Sequence, residues 1–507
     1  MPKLPFITYF FVAIPLLLNP LTLADEGTTS ALWGNRGEIW QPGGRLPDYS
    51  YAGYHRGEKP LPNLLPEVSV LDFGAVGDGE TDDTAAFKQA LKEAAGKTIE
   101  IPAGRYLITD ILEITKTGTV LLGAGPDQTV LWAPKPLEEI RPNMGSTTTG
   151  DPTSNYSWSG GVVWARGDWR DKPLAKVTAA AQRGTTSLVV DEPEAFEVGD
   201  EVRLTLQGDE QQSLASHLYA DDPSDLKHLK PVKQNWFARV TKVDQEEKCL
   251  TFDRNLVFDV RLEWSPTLLP AQSSAEEIGI ENLAFEFPVT PYGGHFSELG
   301  YNAIAFSNLR NSWVRNVEVR HADSGFFIGG ANNTLQNIRF HSSRQRDSRR
   351  NCTGHHGVTL GGTDLMLEDF EIQTKFIHDI TMTRGSASNV VRRGRAEDLT
   401  CDHHKYANHS NLYTNLNAGR GTNIFRSGGG AKRGRHAGAW NTWWNIRTRR
   451  PVKYPTGWAP EMINIVGVKS NEESQTATAG RWFETISPEQ LRPEDLYESQ
   501  LEKRLGK

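Results

Sequence analysis

From about residue 278 the chain repeats itself imperfectly, and no other feature narrows its fold as much. Ser324-Gly325-Phe326-Phe327-Ile328-Gly329 aligns with His356-Gly357-Val358-Thr359-Leu360-Gly361 and with His378-Asp379-Ile380-Thr381-Met382-Thr383. Glu397-Asp398-Leu399-Thr400-Cys401-Asp402 continues the series. A second series runs through 313–319, 335–340 and 367–372, and equivalent positions lie 19 to 32 residues apart. One such unit cannot bury its apolar face alone, whereas units stacked as rungs can. Stacked strands stand ~4.8 Å apart, so residues of one column become neighbours. Strand alternation then sends Val358, Leu360, Ile380, Met382, Leu399 and Cys401 inward, and Thr359, Thr381 and Thr400 outward. Asn316, Asn337 and Asp369 share a turn-adjacent slot, where a short polar side chain satisfies backbone groups. The expected fold is all-β: a single-stranded right-handed parallel β-helix with an N-terminal helical cap and a small inserted β module.

The rest of the chain divides around this core. Residues 1–24 have the build of an export signal: Lys3, an apolar run from Phe6 to Leu18, then Thr22 and Ala24 before Asp25-Glu26. The run is too short for an ordinary membrane span, so a secreted or periplasmic protein is expected, with no stable membrane insertion after cleavage. Residues 25–66 read as an extended segment, 67–176 as the cap and first turns, and 177–262 as the inserted module. Residues 263–470 form the core with its groove, and 471–507 a tail whose helix opens at Ser487-Pro488. Cys249, Cys352 and Cys401 make neither a disulfide framework nor a zinc site; a Cys352–Cys401 pair stays open.

The cap carries a recognisable text. Asp72-Phe73-Gly74-Ala75, Gly77-Asp78-Gly79 and Thr81-Asp82-Asp83-Thr84, with the Ile101-Pro102-Ala103-Gly104 turn downstream, resemble the opening of the pectate-lyase superfamily. The resemblance covers about 65 residues and implies a right-handed parallel β-helix. It fixes no activity, because polysaccharide lyases, glycoside hydrolases and phage tail-spike proteins share that opening. Asp82 and Asp83 read as helix caps. Neither the pectate-lyase catalytic signature nor a full polygalacturonase set is present, although His355-His356-Gly357 partly resembles the Gly-His-Gly of the latter.

Chemistry concentrates in the repeats. Nine of the thirteen His fall between residues 321 and 436. Residues 310–450 hold 22 Lys+Arg against 11 Asp+Glu, so the net −8 of the chain divides into +11 there and −19 elsewhere. The net charge alone argues against a general nucleic-acid binder, and the division points to an anionic polymer, here an anionic polysaccharide. One end of the strand column holds Asp323, His355, His356, His378, Asp379, Glu397 and Asp398; the other adds Arg384, Asp402, His403, His404 and Lys405. β-Elimination on a uronic-acid polymer needs its carboxylate neutralised, a base for the C5 proton and an acid for the leaving oxygen. Arg384, Arg426, Arg433 and Arg435 suit the first role. His403, His404, Lys405 and Tyr406 suit the others, with Asp402 and His378 beside them. His356, His436 and Trp440 complete the expected substrate contacts.

Hydrolysis instead needs two carboxyl groups, about 5–5.5 Å apart for retention and about 6.5–9.5 Å for inversion. Asp379 and Asp398, on adjacent rungs, are the candidate pair, with Asp402 as a third candidate. A β-helix that binds glycans without cleaving them is the third reading. Arg and His outnumber carboxylates in the presumed groove, which favours elimination. No cofactor is expected; calcium would need a dense acidic loop that the sequence lacks.

Overall fold

The computed structural model describes residues 1–2, 27–147 and 149–507. The expected export segment, apart from Met1 and Pro2, lies outside them. The repeats stack as predicted. One face of the helix is an eight-stranded parallel sheet whose spatial order is its chain order: β1 (Leu112–Ile114), β2 (Val163–Arg166), β3 (Asn302–Ser307), β4 (Ser324–Ile328), β5 (Gly354–Leu360), β6 (Phe376–Met382), β7 (Cys401–His403) and β8 (Arg426–Ser427). Longer strands such as Trp313–Arg320, Thr334–His341 and Met366–Ile372 form the remaining faces, again in parallel.

Two polar columns make these strands possible. Asn282, Asn316, Asn337, Asp369, Arg393, Asn415 and Asn445 all have φ between 49° and 56°. One left-handed residue therefore bends each rung, and asparagine tolerates that conformation best among residues with a side chain. The asparagines also ladder: Asn337 Nδ2 donates to Asn316 Oδ1 at 2.9 Å, and Asn316 Nδ2 to Asn282 Oδ1 at 2.8 Å. A second column is buried. Asn389, Asn411 and Asn441 are fully enclosed, and each accepts a backbone N–H from the rung before, at 2.8, 3.1 and 2.9 Å respectively. Buried backbone donors at the corners are thereby satisfied.

Inside, one apolar column runs the length of the molecule through Leu121, Ile280, Val314, Leu335, Leu367, Val391, Tyr413, Trp443, Ile465 and Phe483. All are fully buried, and Tyr413 and Trp443 stack at 5.5 Å and 12°. The helix α1 (Thr84–Glu93) packs Phe87 and Ala90 on the first rungs. Leu32, Trp33, Leu46 and Tyr49, with Leu496 and Tyr497 of α2 (Leu496–Leu505), cover an outer face through Met366, Val390, Leu412 and Trp444.

Strands Ala175–Lys176, Thr267–Pro270, Glu201–Gln207, Lys233–Asp244, Cys249–Phe252 and Ser187–Val189 form a separate six-stranded antiparallel sheet. It docks on the helix by a buried fork, Arg254 to Asp364, with two bonds of 2.7 Å. Cys352 and Cys401 are free thiols.

One register differs from the sequence alignment. Asp402, not Thr400, pairs with Thr381, and Cys401 pairs with Ile380. The connection from β6 to β7 takes two more residues than the alignment allowed. A two-residue slip preserves the alternation, so Leu399 and Cys401 still face the core. Thr400 leaves the outward column and is buried, its N–H donating to Asp379 Oδ2 at 2.9 Å. Asp402 takes its place in that column.

Candidate active site

That register brings together five imidazoles. His355 and His356 lie on β5 and His378 on β6, in register with His356. His404 follows β7, and His295 reaches over from the loop between Phe287 and Tyr301. Strict alternation would send His356 to the core with Val358. A Cβ at Gly357 would collide with the Asp379 carbonyl oxygen, and His356 Nδ1 meets Thr381 Oγ1 at 3.2 Å. The rings of His355 and His356 stand 4.0 Å apart, those of His356 and His378 5.0 Å, and those of His378 and His404 5.6 Å. His295 lies 4.6 Å from His355, edge to face.

Two carboxylates back the cluster. Asp402 Oδ2 bonds His404 Nδ1 at 2.8 Å and faces His378 Nδ1 at 3.2 Å. Glu298 Oε1 faces His355 Nδ1 at 3.4 Å and accepts the Tyr292 hydroxyl. Burial, reinforced by the neighbouring imidazoles, holds His355, His356 and His378 well below the ordinary histidine range. Burial also lowers His295 to about 4, with Arg350, His404, Arg426 and Arg349 adding to the shift, and raises Glu298 to about 7. These rings are neutral at neutral pH. His404 is the more open, its side chain 28% exposed. His295, His355 and His378 offer ligand atoms within 4.8 Å of one another, and so do His378, Asp402 and His404.

Aromatic groups wall one side. Phe296, 38% exposed and at φ 70°, stacks on His295 at 3.6 Å and meets Trp158 edge to face at 6.1 Å. On the other side Arg426 of β8 lies in register beside Asp402. Gly428 follows it, and a Cβ there would strike His404 Nδ1. The glycine-rich stretch thus packs against the imidazole.

The sequence candidates part company here. His356, His378, Asp402 and His404 meet in the cluster, with Arg426 beside it. His403 is wholly buried among Tyr413, Trp443 and Trp458, with Nδ1 on Asn408 at 2.6 Å, and burial lowers it to about 3. Asp379 is enclosed beneath the strand, accepting from Phe376 N and Thr400 N; burial raises it to about 7. Asp398 caps an outer turn through Thr422 and Asn423. These two carboxylates share no open cleft. Lys405 donates to the Gly434 carbonyl at 2.8 Å, and Tyr406 accepts from Arg433. Arg384 is exposed in a turn that the module's Gln234 touches. Arg435 pairs with Asp222 at 2.6 Å, His436 stacks on Trp458, and Trp440 is buried under Arg183 of the module.

The sequence reading missed His295, Phe296, Glu298 and Trp158. They lie on loops rather than strands. The available signal was the length of the Phe287–Tyr301 connection, since insertions in a solenoid gather on its binding face.

Known proteins supply a frame for this geometry. Residues 67–154 match the family described as rhamnogalacturonase A/epimerase, pectate lyase-like. Alginate lyase 7 of Azotobacter vinelandii is 33% identical over 102 residues, 18% of this chain and 12% of that protein. The pre-neck appendage protein of Bacillus phage B103 is 44% identical over 64 residues, 13% of this chain and 7% of the relative. The chain thus spans far less than two thirds of these relatives. The tailspike protein gp49 of Pseudomonas phage LKA1 superposes with a TM-score of 0.48 at 12% identity, covering 79% of this chain and 62% of that one. The stacked rungs make the chain a right-handed parallel β-helix, and its residues 67–154 are similar to the pectate lyase-like family.

Proposed function

We propose that the protein is an extracellular enzyme that cleaves a uronic-acid polysaccharide by β-elimination at the histidine cluster. The observation that carries this reading is the His404–Asp402 pair. Asp402 holds His404 Nδ1 at 2.8 Å, which fixes the tautomer and leaves Nε2 of a partly exposed imidazole free to take a proton. Nε2 removes the C5 proton, the freed electron pair forms the C4=C5 double bond, and the C4–O bond breaks. The leaving oxygen takes a proton from water at the open mouth. Arg426, Arg349 and Arg350 provide the positive field in which the uronate carboxylate is bound; among the described residues none has a carboxylate within 4.0 Å. Phe296 and Trp158 give the sugar rings an apolar face. The relationship to alginate lyase 7 agrees with this chemistry. The burial of Asp379 and the capping role of Asp398 count against paired-carboxylate hydrolysis.

The test is ultraviolet absorbance of the new C4=C5 uronate on a panel of anionic polysaccharides. Wild-type protein should generate it on a polyuronate. His404→Ala should lower the rate by roughly 100- to 10,000-fold, while Asp398→Ala should leave it within about two-fold. Equal activity of His404→Ala and wild type rejects the assigned base. Binding of every polymer without cleavage of any would make the protein a glycan-binding β-helix.

A further inference from the structure

The histidine cluster is larger than a single proton transfer requires. One imidazole on one carboxylate serves as a base; four more stand behind it. Histidines are buried singly elsewhere, as at His403 and His409, whereas here four rings stack ring to ring behind the base. Two carboxylate oxygens behind the cluster, Asp402 Oδ1 and Glu298 Oε2, also lack a partner while shielded from water. Leaving such groups unsatisfied is costly, so the site is built to be filled.

We propose that His295, His355 and His378 form a binding site for one divalent transition-metal ion of the zinc class. Their ligand atoms already lie within 4.8 Å of one another. A four-coordinate zinc sets its nitrogens about 3.3 Å apart, so small side-chain rotations close the site. Nitrogen donors select zinc-like ions over calcium or magnesium, which take oxygen.

The triad His378–Asp402–His404 is equally compact, but its carboxylate is committed. Asp402 already bonds His404 and faces His378. That is the arrangement in which a carboxylate orients imidazoles from behind a metal site. Glu298, held by Tyr292, stands in the same relation to His355. Two of the three proposed ligands thus have an orienting carboxylate, and the third, His295, sits on the loop at the mouth. Three protein ligands leave a fourth position open. There the ion would take the uronate carboxylate and draw charge from the carbon beside it. The existence of the site does not depend on the elimination reading; this role for it does.

The experiment is calorimetric titration of chelator-stripped, dialysed full-length protein with zinc, paired with the visible d–d spectrum of the cobalt-loaded form. One equivalent of zinc should bind, and it should raise the melting temperature. His295→Ala, a loop change that spares the rungs, should weaken binding roughly 100-fold or more and alter the cobalt spectrum. His228→Ala, exposed on the module, should leave both unchanged. Absence of stoichiometric zinc binding overturns the proposal. So does binding that survives His295→Ala but is lost in Asp402→Asn, which would place the ion in the other triad. A protein that binds zinc but yields no unsaturated product keeps the site and loses the elimination reading. One that yields product after stripping and binds no zinc does the reverse.

Discussion

A hydrogen in place of a side chain at Gly428 lets His404 sit against Asp402. Any Cβ there would strike the imidazole and crowd Asp402 Oδ1. Gly428→Ala should therefore displace the base by a fraction of an ångström and lower kcat about 100-fold, with circular dichroism and melting temperature close to wild type. Unchanged kcat would mean that His404 does not act from this position. The roles of individual residues were only partly legible in the sequence. His378, Asp402 and His404, singled out because clustered histidines and carboxylates point to chemistry, do lie together. His403, adjacent to His404, was drawn in by the same signal but points the other way, into Trp443 and Trp458. Strand alternation separates the two, once the register of β7 is known.

At the scale of elements, that register is what the sequence could not supply. Inward apolar positions repeat every second residue, so a slip of two leaves the hydrophobic pattern intact while exchanging Thr400 for Asp402 beside Thr381. The fold was legible because burial needs only the pattern; the site was less so because catalysis needs the alignment. Long loops obey neither rule, which is why Phe296 and Glu298 went unseen. The asparagine columns were legible in part, through Asn316, Asn337 and Asp369. They differ in energetic weight. Asn411 is enclosed, accepts from Asn389 N and donates to Ser386 O and Asn441 Oδ1, so Asn411→Ala should destabilise the protein by about 2–5 kcal/mol. Asn337→Ala, on the exposed ladder, should cost only about 1 kcal/mol. Denaturant titration of both variants separates them; equal losses would show that burial does not set the cost.

At the scale of the whole molecule, part of the positive charge over residues 310–450 is engaged within the fold. Arg344, Arg392, Arg393, Arg395, Arg420 and Arg435 are paired with carboxylates. What reaches the site is the smaller field of Arg349, Arg350 and Arg426. Buried neutral histidines also leave a signature on global stability. His403 and His409, each lowered by burial to about 3, are protonated first in the unfolded chain. Their contribution is present above about pH 6.5 and is lost as pH falls toward their folded values. Asp379 and Glu298, each raised to about 7, work in the opposite sense, since their contributions fade as pH rises to that value, but they are outnumbered once His295, His355, His356 and His378 are added. The melting temperature should fall between about pH 7.5 and pH 5, each extra proton on the unfolded chain contributing about 1.4 kcal/mol per pH unit. Calorimetric scans across that range check it, and a rising melting temperature on acidification would contradict it.

The central claim is elimination at the histidine cluster, and the most direct measurement of it is cleavage of a polyuronate in heavy-oxygen water, read by mass spectrometry and ultraviolet absorbance together. Elimination breaks the C4–O bond without adding water. The predicted product carries the unsaturated chromophore and no heavy oxygen, and its formation collapses in His404→Ala. Fragments that carry heavy oxygen and lack the chromophore would contradict the account.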